Sequence, residues 1–76
     1  PVPVPVIVVE SEREIGLDWH TDSRHVLSLT IDGSTYIGYA ALVGHESVHG
    51  RVPFGGSLPR TITDLLARIY RRATRA

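Results

Sequence analysis

His45-Glu46-Ser47-Val48-His49 carries the H-E-x-x-H spacing, in which a helix sets two imidazoles on one face to bind zinc while the glutamate serves as general base. The surroundings point elsewhere. Gly44 and Gly50 bracket the five residues and Val52-Pro53 follows at once, leaving no length for the helix that the motif requires. In a strand the two histidine Cα atoms stand about 13 Å apart, too far to share one zinc through bonds of about 2.0–2.1 Å. No histidine follows His49 to supply a third ligand. The segment therefore reads as a turn and a strand, with no metal and no cofactor. His20 and His25, which flank a polar turn, take the same reading.

The other reactive side chains also lack their settings. Ser11, Ser23, Ser28, Ser34, Ser47 and Ser57 occur without a G-x-S-x-G elbow. Gly55-Gly56-Ser57 precedes a helical pattern and has the backbone to cradle an anion, but no Walker lysine follows, and lysine is absent throughout. A loop with a helix cap accounts for it. Pro1 resembles the N-terminal proline base of the tautomerase superfamily, a resemblance of one residue. Those enzymes follow their first strand with a helix and a parallel strand, whereas 11–42 reads as antiparallel hairpins, so Pro1 is read as an edge-blocking proline. No catalytic residue is assigned, and the chain is not expected to be an enzyme.

Charge carries the stronger signal. Seven of the eight acidic residues precede Arg51, and six of the eight basic residues, all arginine, lie from Arg51 onward. Such a division predicts an acidic and a basic contact area on one surface, and arginine holds carboxylate or phosphate bidentately. Arg68, Arg71, Arg72 and Arg75 form a ridge on one helical face and are candidate partner-binding residues, able to meet phosphates or an acidic protein surface. Glu10, Glu12 and Glu14 are the acidic candidates: extended, they point one way toward a basic groove; in a turn, they are simply solvated. Tyr36, Tyr39 and Tyr70 are either interface anchors or partly buried core.

The elements that position these residues follow from hydrophobic period. Pro1, Pro3 and Pro5 alternate with Val2, Val4 and Val6 before Ile7-Val8-Val9. Prolines two apart remove donors along one side of a strand, predicting an edge strand blocked on that side and apolar on both faces. Ile15, Leu17 and Trp19 share a strand face, as do Leu27, Leu29 and Ile31. Asp32-Gly33 predicts a type I′ hairpin turn into 35–43. Gly44–Glu46 is a further turn, and Ser47–Phe54 a strand with Val48, Val52 and Phe54 on one face. From Leu58 the period becomes 3.6, with Leu58, Ile62, Leu65, Leu66, Ile69 and Ala73 as the apolar stripe. Ser57 is the expected cap, Pro59 suits a first turn, and Asp64 is placed to pair with Arg68 at i, i+4. The fold class is α+β: an antiparallel sheet of four or five strands with one C-terminal amphipathic helix, in a single domain over 1–76.

At 76 residues, a chain buries only about 60 to 65 percent of its unfolded surface. Without cysteine, neither disulfides nor thiolate metal sites supplement the core, and a reducing cytoplasm is the expected compartment. Self-association is the remaining route to burial, and a homodimer through the valine-rich first strand is expected. The apolar stretch Val2–Val9 has neither the basic flank of a signal peptide nor the length of a membrane span.

In size, sheet-plus-helix layout and absence of a catalytic set, the chain resembles the small phage-encoded anti-CRISPR proteins. No sequence motif is shared and no site residue carries over. The resemblance implies a non-catalytic inhibitor in the bacterial host cytoplasm, binding a CRISPR effector subunit and blocking target DNA recruitment. The alternative is a nucleic-acid-binding accessory protein that uses the arginine helix.

Overall fold

The computed structural model describes residues 4–74, with side chains described through residue 70. Five strands run in sequence order across one antiparallel sheet: β1 (Val6–Val9), β2 (Ile15–Asp22), β3 (His25–Ile31), β4 (Tyr36–Val43) and β5 (Glu46–Pro53). One helix, α1 (Arg60–Thr74), follows and packs over β2, β3 and β4. The architecture is the expected α+β layout.

Pairing register sorts the side chains into two faces, because residues directly opposite in a ladder point the same way. Leu17, Leu29, Tyr39 and Gly50 form one row across β2 to β5, and Trp19, Leu27, Ala41 and Val48 form the next. These rows face α1, whose Ile62, Leu65, Leu66 and Ile69 are buried against Trp19, Leu27, Leu29, Ile37, Ala41 and Val43. The 3.6-residue stripe and the period-two strands meet in a single core. The opposite face presents Asp18, Ser28, Ala40 and His49 in one row and Gly16, Thr30, Gly38 and Arg51 in another.

Local geometry departs from the expected turns in ways the side chains explain. At Asp32-Gly33 only the glycine has positive φ, 87°, so the turn is not type I′, which needs positive φ at both positions. The Asp32 carboxylate instead accepts the Ser34 amide at 3.0 Å, a side-chain-closed turn that lengthens the connection to 32–35. Gly44 has φ 65° at the first loop position between β4 and β5, the II′ pattern that hairpin twist favours. Ser57 does not cap α1. Pro59 stands just before the helix, its carbonyl accepting the first helical hydrogen bonds from the amides of Ile62 at 3.0 Å and Thr63 at 3.1 Å.

β1 begins at Val6, so Pro5 precedes the strand rather than lying within it, and Pro1 and Pro3 fall outside the described residues. The Glu10 amide donates to the Glu14 carbonyl. Bonded positions alternate along an antiparallel ladder, so with Val8 opposite Gly16 and Val6 opposite Asp18, Val6 and Val8 turn their backbone groups toward β2. Ile7 and Val9 turn theirs outward. Pro5 shares that outward parity, which places the expected proline block just before an edge that still holds two donors.

Candidate functional site

The meander places alternate turns at opposite ends of the sheet. One end holds the β1–β2 turn, the β3–β4 turn and the start of α1; the other holds the β2–β3 turn, the β4–β5 turn and the last turns of α1. Charged candidates separate accordingly. Glu10, Glu12 and Glu14 gather in the first end, joined by Asp32, while Arg68 lies at the second.

The acidic group is a hairpin turn and not an extended strip. The amides of Glu10 and Ser11 both reach the Glu14 carbonyl, at 3.0 and 3.3 Å, and the Ser11 hydroxyl accepts the Arg13 amide at 3.2 Å. All three glutamates are exposed. The Glu10 carboxyl folds back over Gly16, where a Cβ would sit 3.3 Å from its Cδ, a contact that the exposed, flexible glutamate relieves by shifting a few tenths of an ångström. Two amide contacts at Asp32 and the Ser34 hydroxyl hold its carboxyl below the ordinary 3.8, the Ser34 backbone amide being the main cause. It is therefore a charged group at neutral pH.

At the opposite end Arg68 donates to the Glu46 carboxylate and not to Asp64. Antiparallel passage of α1 over the sheet brings Arg68 above the start of β5, and the cross-sheet partner displaces the i, i+4 one. Arg71 and Arg72 belong to α1 by backbone; their side chains, and Arg75 altogether, lie outside the described residues. Ala73 is likewise undescribed as a side chain.

Two polar pairs at this end escaped sequence reasoning. His25 Nδ1 lies 2.8 Å from Asp22 Oδ1, and the same carboxylate oxygen accepts the Arg24 amide at 2.8 Å. Their D-x-x-H spacing across a short turn was the available signal. The His25 hydrogen bond, more than the Arg24 amide, holds the Asp22 carboxyl below its ordinary 3.8. Arg24 also reaches His45 Nδ1 at 3.3 Å, and its carbonyl accepts the Gly44 amide at 2.8 Å, tying the two turns together.

His45 therefore sits in a turn and His49 on the exposed face of β5, as the bracketing glycines predicted. Among the described residues no three His, Cys, Asp or Glu side chains gather as a metal site. Of the tyrosines, Tyr39 and Tyr70 pack against the core. Tyr36 is exposed, with the Arg51 guanidinium 5.3 Å from its ring centroid in cation–π geometry.

The largest apolar exposure lies at β1. Val6, Ile7, Val8 and Val9 are all exposed, as is neighbouring Ile15, because α1 covers only the middle strands. No helix among the described residues is long and apolar enough to cross a membrane. Compared with known protein families, curated proteins and solved structures, the chain matches none.

Proposed function

We propose that this chain is a non-catalytic protein-binding inhibitor that acts by occupying a partner's surface, as do the anti-CRISPR proteins it resembles in size and layout. The observation that carries the reading is the collection of the exposed carboxylates of Glu10, Glu12, Glu14 and Asp32 at one end of the sheet, where they outnumber the arginines Arg13, Arg51 and Arg60 of that end. Hydrogen bonds within these short turns hold the backbone beneath the carboxylates, so binding has side chains to order but not the loops. Their natural counterpart is a basic groove, and the channel through which a CRISPR effector receives DNA is one. Binding there blocks target DNA recruitment by occupancy alone, within the cytoplasm of a bacterial host.

The experiment is a DNA-recruitment assay with a purified type I surveillance complex and the intact chain. Stoichiometric inhibition that is lost when Glu12 and Glu14 are changed to arginine supports the reading. Unchanged recruitment at molar excess of the chain overturns it.

One observation favours nucleic-acid binding as the second reading: Arg24 stands at the same end as the last turns of α1, adding a cation from the sheet to the arginine ridge. Four phosphate contacts on duplex DNA give a log–log salt slope of about −3.6. A chain acting on protein alone shows no such DNA binding.

A further inference from the structure

We infer that a second copy of this chain adds to the sheet at β1, across a two-fold axis through Val8, to make one continuous antiparallel sheet of twice five strands. Three observations converge on a second copy as the occupant.

The first is area. The chain exposes 5370 Å² at a mass of 8.3 kDa, whereas a monomeric protein of that mass exposes about 4,600 Å². The excess, roughly 800 Å², equals one partner's share of a standard interface. Among the described residues the exposed large apolar side chains are Val4, the four β1 residues, Ile15, Tyr36 and Phe54, and six of these eight cluster at β1.

The second is the pattern of open backbone groups. Ile7 and Val9 face outward and Pro5 offers no donor, so one antiparallel register joins the open positions of β1 into complete two-bond pairs: Ile7 opposite Val9 of the second copy, and Val9 opposite its Ile7. Val8 then faces its own equivalent. On the α1 side, Ile15 and Val9 continue into Ile7 and Leu17 of the second copy, giving an unbroken apolar row between the two helices. Pro5 ends the ladder at each side, which makes the pairing finite and closed.

The third is charge. Val4–Val9 carries none, while Glu10, Glu12 and Glu14 stand at one end of the strand. Antiparallel pairing about Val8 sets Glu10 opposite Val6 of the second copy and keeps the two Glu10 residues about 14 Å apart, beyond a Debye length of about 8 Å at physiological salt. Parallel pairing would stack the acidic turns on each other.

The chain has no cysteine, so single cysteines report the register. A Val8 pair is a non-bonded antiparallel pair with Cα atoms about 4.5 Å apart, within disulfide reach, whereas Val6 residues stand about 14 Å apart. Under mild oxidation Val8→Cys is expected to become a covalent dimer and Val6→Cys to stay reduced. Light scattering on the parent is expected to give twice 8.3 kDa at tens of micromolar. Ile7→Pro removes the outward amide and trims one side chain of the apolar row while leaving the hydrogen-bonding positions Val6 and Val8 of the β1–β2 ladder untouched; it is expected to retain the parent circular dichroism spectrum while raising the dimer dissociation constant about tenfold or more. A monomeric parent, an Ile7→Pro variant that is folded and still as dimeric, or oxidation of Val6→Cys as readily as Val8→Cys would each overturn the inference.

Discussion

The Tyr39 ring lies across Gly50, its direct partner in the β4–β5 ladder, so closely that a Cβ at Gly50 would stand 2.8 Å from the phenolic oxygen and 3.0 Å from Cζ. A rigid ring cannot bend its far end away as a flexible chain would, so the whole side chain must swing off the core. Gly50→Ala is expected to destabilise the fold by about 1–3 kcal/mol, measured by urea unfolding. Combining it with Tyr39→Ala should cost less than the two changes added together, because the clash exists only when both side chains are present. Strict additivity would remove the argument.

Asp22 and His25 make the β2–β3 turn sensitive to acid. A carboxylate whose pKa is lowered in the folded chain stabilises the fold above its unfolded value, here 3.8, and loses that contribution as pH falls through the folded pKa. Asp22→Asn is therefore expected to be less stable than the parent at pH 6, with the gap closing below about pH 4. Thermal melts across that range check it; a gap that does not narrow in acid would mean that the carboxylate's charge plays no part.

How much of this was legible in the chain depended on range. Period-two runs such as Leu27, Leu29 and Ile31 and the 3.6-residue stripe through Leu66 gave the right elements on the right faces, since each periodicity is a local property. The fate of His45 and His49 was legible too, because glycine on either side denies them a helix. Turn detail was not: Asp32-Gly33 fits type I′ by composition, but its carboxylate had a competing acceptor role toward Ser34. The Asp22–His25 pair depends on the irregularity at Thr21, where the β2–β3 register shifts between His20 and Asp22. Arg68 found Glu46, 22 residues away, because of the direction in which α1 crosses the sheet, which no i, i+4 rule contains.

Zinc should not bind stoichiometrically. His45 is engaged with Arg24 in a turn, and His49 projects from β5 on the face away from α1. Elemental analysis of the purified chain is expected to find far less than one zinc per chain, with no difference between parent and His49→Ala. One equivalent that disappears with His49 would reverse the conclusion.

Folding and binding should separate between neighbouring residues of α1. Leu66 is buried against the sheet, so Leu66→Ala should cost about 2–5 kcal/mol. Arg68, two residues on, is half exposed and paired with exposed Glu46, and such pairs contribute only about 0–1 kcal/mol. Arg68→Glu should therefore leave the fold intact. The same holds for Glu12 and Glu14, whose side chains are exposed in the first turn. Under the proposed function, reversing those two glutamates abolishes inhibition of DNA recruitment while Arg68→Glu leaves it nearly unchanged, because the two lie at opposite ends of the sheet. The opposite pattern, inhibition lost with Arg68 and kept without the glutamates, would move the binding surface to the arginine end. In that case the salt slope of DNA binding decides between an acidic protein partner and the phosphate backbone itself.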